Sequence, residues 1–243
     1  MKKDWFEDWF NSSYYHSLYQ HRDYKEACLF IDKLCDHLAI PKNAEILDLA
    51  CGKGRHALHL GKKGFQATGV DLAAESIKLA RINAPTNVHF DVHDMRFTYR
   101  EKGFDFVFNL FTSFGYFKDK DENLKVLQAA AKNLKDEGTF VLDFMNAKKV
   151  IANLVAEEQK NIDGIQFNIG RHYNGQHIIK DIEVVDGANS KQFQERVYAF
   201  DLISLQELAQ NVGLQIVDVF GDYQLNDFNA LESDRLILLM KSI

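Results

Sequence analysis

Residues 46–56 read ILDLACGKGRH, and this stretch decides the fold. Its first half is a short, almost continuous apolar run, which is typical of a strand buried on both faces of a parallel sheet. Gly52 and Gly54 then permit a tight turn and the close approach of a ligand that a Cβ would obstruct. A helix that begins after the turn directs its free N–H groups toward that ligand. Alone, the turn fits a dinucleotide as well as another adenosine-containing cofactor, because Gly-x-Gly-x-x-Ala also occurs in dehydrogenases.

Strands and helices alternate along the chain beyond this turn. The apolar patterns predict strands at residues 65–70, 88–92, 104–110 and 139–144, and helices at 56–63, 73–83 and 121–134. This alternation predicts an α/β fold with a doubly wound parallel sheet. Two closing strands are predicted at 214–220 and 235–241. A helix over 204–212 precedes them, with Ser204 as its N-cap and Glu207 completing a capping box.

The pattern changes between residues 160 and 203. Period-two alternation over 165–173 and 176–185 flanks Asn174-Gly175. This dipeptide is a strong hairpin signal because both turn residues take positive φ. A third alternating run over 192–200 predicts a three-stranded antiparallel β inset.

The N-terminal part of the chain differs again. Aromatic side chains are dense over residues 1–22. Residues 23–38 repeat apolar side chains with the spacing of an amphipathic helix, which Pro41 ends. We therefore divide the chain into three parts. They are an N-terminal helical lid over 1–42, a cofactor-binding domain over 43–147 and 204–243, and the antiparallel inset over 148–203.

Two further predicted strands end in side chains that suit adenosine. Asp71 ends the second strand, where a carboxylate can accept both hydroxyls of a ribose. Asp94 and Met95 follow the third strand, where an acid suits the exocyclic amine of adenine and an apolar side chain suits its ring. The carboxyl ends of these strands meet where ligands bind in open α/β sheets. Two ordinary interpretations stay open, in which Asp48 only braces the loop and Asp94 only caps a helix.

Composition limits the classes of function. The 243 residues carry a formal net charge of −6, which argues against a nucleic-acid partner because such partners call for a basic face. Cys28, Cys35 and Cys51 lack zinc-site spacing, so we expect no metal site. The chain shows no secretory leader and no run of 18 apolar residues. We therefore expect a cytoplasmic protein without a membrane segment, either a monomer or a homodimer.

Together these motifs resemble the class I S-adenosylmethionine-dependent methyltransferases. Residues 46–56 are similar to the first motif of that family, 69–72 to the second, 94–95 to the third, and 134–140 to the turn before the fifth strand. The closing strand pair resembles the family's reversed last strand. Through residues 94–96 and 111–116, the chain more loosely resembles a small-molecule group that includes aminosugar N,N-dimethyltransferases.

The resemblance implies a seven-stranded Rossmann-like sheet, S-adenosylmethionine as cofactor and an inset that roofs the acceptor pocket. The cofactor-binding residues that it implies are Tyr14, Arg22, Asp48, Ala50, Gly52, Gly54, Asp71, Leu72, Asp94, Met95, Asn109 and Leu110. Among them, Tyr14 and Arg22 would close over the cofactor carboxylate. For the transfer itself the protein aligns the reactants and excludes water. His16 or Tyr116 would take a proton from the acceptor.

The expected function is methyl transfer to a small molecule at an amine or a hydroxyl. Methylation of the amino groups of nucleic-acid bases fits poorly, since residues 109–112 read NLFT where such enzymes resemble one another in an Asn/Asp-Pro-Pro-aromatic motif. Two alternatives stay open. One is an NAD-dependent oxidoreductase that uses the same glycine turn, and the other is a non-catalytic cofactor-binding protein on the same fold.

Overall fold

The computed structural model describes residues 5–20, 24–82 and 84–243. The helices are α1 (Trp5–Phe10), α2 (Ser13–Leu18), α3 (Tyr24–His37), α4 (Arg55–Lys62), α5 (Ala74–Arg81), α6 (Lys120–Asn133), α7 (Ala147–Ala152) and α8 (Leu202–Gln210). The strands are β1 (Glu45–Leu49), β2 (Gln66–Asp71), β3 (Val88–Val92), β4 (Phe104–Asn109), β5 (Leu134–Met145), β6 (Glu157–Ile162), β7 (Ile165–Tyr173), β8 (His177–Asp186), β9 (Asn189–Tyr198), β10 (Leu214–Phe220) and β11 (Arg235–Ser242). Among the described residues, no helix is both long enough and apolar enough to span a membrane.

The main sheet has seven strands in the order β10-β11-β5-β4-β1-β2-β3. The pairs from β3 to β5 are all parallel, whereas β11 runs antiparallel to both of its neighbours. This confirms the predicted doubly wound sheet with a reversed last strand. The carboxyl ends of β1 to β4 therefore lie along one edge, where the predicted site residues follow them.

Helices cover both faces of this sheet, as the near-continuous apolar strands predict. Successive residues of β1 alternate between two hydrophobic clusters, with Leu47 in one and Ile46 in the other. The first cluster contains residues of α6 and α8, and the second contains residues of α3, α4 and α5. Burial on both faces explains why β1 has no polar alternation apart from Asp48.

The inset is a separate antiparallel sheet of four strands in the order β6-β7-β8-β9, not of three strands. The prediction missed β6, which pairs with β7 through a turn at Asp163 and Gly164. The sequence of β6 is EEQKNI, and its side chains are mostly exposed at the edge of the sheet. An exposed edge strand needs no buried face, so its sequence carries no period-two apolar signal.

The start of α8 also differs from the prediction. Asp201 is the N-cap and Ser204 is the third residue of the helix, so the predicted cap at Ser204 is wrong. The Asp201 side chain accepts from the Ser204 backbone N–H at 2.9 Å, and the Ser204 hydroxyl accepts from the Asp201 N–H at 2.9 Å. The box is therefore made by an aspartate and a serine, since Asp201 offers the stronger acceptor one turn earlier.

The N-terminal helices pack in two different places. Trp9 of α1 and Leu18 of α2 belong to a cluster with β7 and β8 of the inset, and Trp9 is fully buried there. The buried residues of α3, such as Phe30 and Leu34, belong instead to the core of the main sheet. Helices α1 and α2 are thus attached to the inset, although Phe6 of α1 also packs in the core of the main sheet. Helix α3 packs only on the main sheet's side, as part of its helical cover.

Candidate functional site

A cavity of about 380 Å³ lies at the carboxyl ends of β1 to β4, and we call it the strand-end cavity. One wall consists of the residues that directly follow these strands, and the opposite wall comes from α1 and α2 and the two residues after α2. The predicted site residues that line it are Ala50, Gly52, Asp71, Leu72, Asp94, Met95, Leu110, His16 and Tyr116. The structure thus brings together residues from four strand ends and from the N-terminal helices.

The two glycines of the turn serve different purposes. Gly52 has φ +56°, and a Cβ built there would meet no atom within 4 Å, so it leaves open space at the cavity wall. Gly54 has φ +78°, but a Cβ there would lie 2.4 Å from the Phe90 ring. Gly54 does not line the cavity. A glycine is required at position 54 because the turn packs against β3 there. This corrects the prediction that both glycines admit a ligand.

Asp71 holds the turn together from the end of β2. One of its carboxylate oxygens accepts from the Gly52 N–H at 2.8 Å, and the other accepts from the Ala73 N–H at 2.8 Å. Burial raises the pKa of Asp71, these backbone N–H groups oppose that rise, and the nearby Asp48 carboxylate adds to it. Because a carboxylate has about four acceptor positions, Asp71 retains capacity for the hydroxyls of a ribose.

Asp94 is held in place by the neighbouring Arg96. The guanidinium Nε donates to both carboxylate oxygens, at 3.1 Å to Oδ1 and 2.9 Å to Oδ2, and Nη2 donates to Oδ2 at 2.6 Å. The same guanidinium also pairs with Glu122. The Asp94 carboxylate accepts from the Arg96 backbone N–H at 2.9 Å, and no α-helix follows it. The alternative interpretation of Asp94 as a helix cap is therefore wrong. Met95 lies beside it at the wall, with its sulfur 3.7 Å from the Asn109 amide nitrogen.

Several predicted residues lie away from the strand-end cavity. Asn109 is fully buried behind it and donates to the Leu49 carbonyl at 3.1 Å. Tyr14 does not line it either, because its hydroxyl donates to Asp186 of the inset at 3.1 Å. This corrects the prediction that Tyr14 closes over the cofactor. Arg22 lies outside the described residues.

Asp48 is buried behind the glycine turn, with 1 % of its surface exposed. Its Oδ2 has no hydrogen-bond partner among the described residues, and the His56 imidazole Nδ1 lies 3.8 Å from it. A buried carboxylate oxygen without a donor favours a cation nearby. The orphaned oxygen and the open space at Gly52 together fit a cofactor that brings a positively charged amino-acid end to this turn.

An unusual turn follows β4, and it was not predicted from the sequence. Phe111 and Thr112 both have positive φ, at 58° and 56°, which is costly for residues other than glycine. Asp143 of β5 holds them, since its Oδ2 accepts from the Phe111 N–H at 2.7 Å and its carbonyl accepts from the Thr112 N–H at 3.0 Å. Asp143 is fully buried and paired with Arg235 at 2.7 Å. These partners are far apart in sequence, so no local signal reveals them.

A second hollow of about 690 Å³, the inset hollow, shares Phe111, Thr112 and Tyr116 with the strand-end cavity. Its inset wall carries Arg171, Ile178, Lys180, Glu195 and Val197. Its opposite wall comes from α3, α7 and the segments 222–224 and 234–235. The two spaces are therefore neighbours that share residues 111–112 and Tyr116 in their linings.

His16 lines the strand-end cavity from the helical side. Burial lowers its pKa, and the nearby Lys53 ammonium lowers it further. The imidazole is therefore neutral at pH 7 and can accept a proton. Within residues 5–20, 24–82 and 84–243, no three His, Cys, Asp or Glu side chains are grouped as a metal site would require.

The chain is similar to known methyltransferases over nearly its full length. A family profile described as a methyltransferase domain matches residues 19–219. A putative methyltransferase of Bacillus subtilis, YqeM, is 27% identical over 236 residues, which is 93% of each chain. A solved S-adenosylmethionine-dependent methyltransferase of Clostridium acetobutylicum has a TM-score of 0.79 at 21% identity, covering 97% of this chain and 98% of that one.

The looser resemblance to aminosugar enzymes is also confirmed. A dTDP-3-amino-3,6-dideoxy-alpha-D-glucopyranose N,N-dimethyltransferase of Streptomyces fradiae is 31% identical over 105 residues, 42% of this chain and 40% of that one. These similarities decide against the nicotinamide alternative, which the glycine turn alone left open. The chain belongs to the methyltransferase domain family, and it is a class I S-adenosylmethionine-dependent methyltransferase.

Proposed function

We propose that the protein methylates an amine of a small molecule by direct in-line displacement at S-adenosylmethionine. The observation that carries this proposal is the contact between two separate spaces at Phe111, Thr112 and Tyr116. The cofactor supplies an electrophilic methyl group on a sulfonium. The strand-end cavity would hold the cofactor, and the inset hollow would hold the acceptor.

The cofactor roles follow from the residues of the strand-end wall. Asp71 would accept the ribose hydroxyls, and Asp94 with Met95 would contact the adenine. Ala50, Gly52, Leu72 and Leu110 would line the rest of the cofactor, and the buried charge of Asp48 would favour its ammonium. Asn109 and Gly54 would act from behind by shaping the wall.

The opposite wall supports the transfer by excluding water. Phe6, Phe10, Tyr15 and Tyr19 line the cavity from the N-terminal helices. Aromatic faces attract cations such as a sulfonium, and a dry cavity strengthens that attraction. This wall would therefore hold the reactive end of the cofactor opposite the acceptor. Of the two predicted bases, His16 would reach the acceptor from the strand-end cavity and Tyr116 from the contact between the two spaces.

The amine is favoured over the hydroxyl because the relative from Streptomyces fradiae is an N,N-dimethyltransferase. An amine must lose a proton, either before or after transfer, so a side chain that accepts a proton is expected beside the acceptor. Acceptor panels should therefore pair each amine with its hydroxyl analogue.

The test has two stages. Isothermal calorimetry with S-adenosylmethionine, S-adenosylhomocysteine and NAD measures cofactor binding. Transfer from S-adenosylmethionine with a radiolabelled methyl group to a panel of nucleotide-linked aminosugars, amino acids, simple amines and their hydroxyl analogues then measures activity. We expect binding of both adenosylated ligands and labelling of amines only. Binding without any labelled acceptor would favour the non-catalytic alternative, and labelling of hydroxyls alone would contradict the amine.

A further inference from the structure

Four buried or half-buried side chains form a polar cluster between the N-terminal helices and the inset. Glu195 of β9 is 8 % exposed, and its carboxylate accepts from the Trp9 indole N–H at 2.7 Å. It also accepts from the Tyr19 hydroxyl, at 2.7 Å and 2.9 Å to its two oxygens. The Lys180 ammonium donates to the same Tyr19 hydroxyl and lies 3.6 Å from Glu195.

This cluster, which we call the Tyr19–Glu195 cluster, lies between the two spaces of the site. Tyr19 lines the strand-end cavity, whereas Lys180 and Glu195 line the inset hollow. Lys180 and Glu195 take no part in the cofactor roles proposed above, and Tyr19 enters them only through its ring. Buried ionisable groups are costly to maintain, and their concentration beside a reaction site often reflects proton transfer.

We propose that Tyr19 is the general base for the acceptor amine and that Glu195 receives the proton from Tyr19. This inference rests on the proposed function. The acceptor nitrogen would contact the Tyr19 oxygen from the contact region of the two spaces. Lys180 would be a positioning residue, since its ammonium holds the phenol oxygen and stabilises negative charge on it.

The proton and electron balance is complete without another reagent. The N–H proton of an ammonium acceptor moves to the Tyr19 oxygen while the phenol proton moves to a Glu195 carboxylate oxygen. The freed nitrogen lone pair forms the N–CH₃ bond as the S–CH₃ bond breaks, which leaves S-adenosylhomocysteine. Glu195 then releases its proton to water in the inset hollow.

Other ionisable groups face the same region from each element packed against it. They are Tyr15 and His16 from α2, Glu26 from α3, Cys51 and Lys53 from the glycine turn, Arg55 and His56 from α4, Asp71 at the end of β2, His93 and Asp94 after β3, Tyr116 after β4, Arg171 from β7, Asp222, Tyr223 and Asp234 from the segment before β11, and Arg235 from β11. A pH profile of the wild type alone therefore reports several groups. The comparison between matched variants isolates the contribution of the Tyr19 hydroxyl.

A purely structural role is the competing explanation, since the cluster also fastens α1 and α2 to the inset. Tyr14 provides the matched control because it belongs to the same helix segment and donates a hydroxyl to Asp186 of the same inset. It lines neither of the two spaces. Tyr14→Phe and Tyr19→Phe thus remove the same group from the same interface, and only the latter removes the proposed base.

The experiment measures kcat, the KM of both substrates and the Kd of S-adenosylhomocysteine between pH 6 and 10, with an amine labelled by the wild type. We expect Tyr19→Phe to lower kcat about 100-fold at pH 7. The Kd should change by less than about threefold, because the ring is retained. The loss should shrink at high pH, where solution supplies neutral amine. Tyr14→Phe should keep kcat within about twofold, because no proton transfer is removed.

Glu195→Gln is the second variant, because it preserves the shape and acceptor oxygen but cannot take a proton. We expect a fall in kcat of at least about tenfold at pH 7 with the same recovery at high pH. Equal losses in Tyr14→Phe and Tyr19→Phe, or a Kd that weakens as much as kcat falls, would overturn the proton role while leaving the proposed function intact. A wild type that labels no amine contradicts the proposed function, and this inference with it.

Discussion

The two walls of the strand-end cavity are held in different ways. On the strand-end wall, residues lie at or directly after the ends of parallel strands, and several have a partner two residues away, as when Asp71 accepts from Ala73 and Asp94 accepts from Arg96. On the helical wall, α1 and α2 have distant partners, as when Trp9 donates to Glu195 of the inset. The strand-end wall is thus marked more clearly in the local sequence than the helical wall, whose contacts only the folded chain creates.

We expect the largest loss of stability on replacing Asp143, which supports the turn that lines both spaces. Its carboxylate is fully buried against Arg235, whose side chain is 18% exposed. Removing one partner of a buried ion pair leaves the other charge uncompensated. We expect Asp143→Ala to lower the free energy of unfolding by about 3–5 kcal/mol, measured by urea denaturation.

Asp234→Ala is the matched control for Asp143. Asp234 pairs with Lys149 at 2.7 Å, but its own side chain is 78% exposed. Such surface pairs contribute at most about 1 kcal/mol. If both variants lose the same stability, the Phe111–Thr112 turn is not held by Asp143, and the contact between the two spaces needs another explanation.

Gly54 tests whether the strand-end wall is rigid because of packing. A methyl group there would clash with the Phe90 ring and would also be strained by the positive φ. We expect Gly54→Ala to lower the free energy of unfolding by about 2–4 kcal/mol, from overpacking together with left-handed strain. Gly170→Ala in β7 is the control, since a Cβ there meets no atom within 4 Å. Comparable melting temperatures for the two variants would contradict the packing role.

Asp71 tests cofactor recognition on the same wall. Replacing it removes both the proposed ribose acceptor and the brace of the glycine turn. We expect Asp71→Ala to weaken the binding of S-adenosylhomocysteine at least about 100-fold, which is about 2.7 kcal/mol. Asp91→Ala is the control, because Asp91 of the neighbouring strand β3 pairs with Arg81 of α5 and does not line the cavity. An unchanged Kd in Asp71→Ala would contradict the proposal that Asp71 binds the ribose.

The strand-end wall could be predicted from the sequence because each of its signals is short and continuous. The apolar run into Gly52, the acid at Asp71 and the pair Asp94-Met95 all lie directly after strands whose order follows from the α/β alternation. The parallel sheet followed from the same patterns and the reversed last strand from the family resemblance, and both are confirmed. What remained hidden here was the reason for Gly54, since its partner Phe90 comes from another strand.

The helical wall and the inset hollow could not be predicted in the same way. Tyr14 and Tyr19 have similar sequence surroundings in an aromatic-rich segment. Only the folded structure shows that Tyr14 donates to Asp186 and Tyr19 donates to Glu195. The strand β6 was missed because an exposed edge strand carries no apolar period. The ion pair between Asp143 and Arg235 joins β5 to β11, and the sequence around neither residue indicates this pairing.

The smallest expected effect concerns His16, where the two walls interact. Burial lowers the pKa of His16 below its unfolded value, and Lys53 from the opposite wall lowers it further. The unfolded chain therefore binds more protons in the window between the lowered pKa and about 6.5. Stability should fall as the pH drops through that window, and the loss should stop below it, where His16 is protonated in both states.

His16→Gln should remove this contribution to the pH dependence. Because His16 is only partly buried and solvent screens its charge, we expect the change in the free energy of unfolding between pH 7.5 and 5 to differ between variant and wild type by less than about 1 kcal/mol. Lys53→Met should reduce the dependence without abolishing it, since burial is the larger cause. If Lys53→Met abolished this pH dependence, the charge of Lys53 across the cavity, and not burial under the helices, would be the larger cause of the lowered pKa of His16.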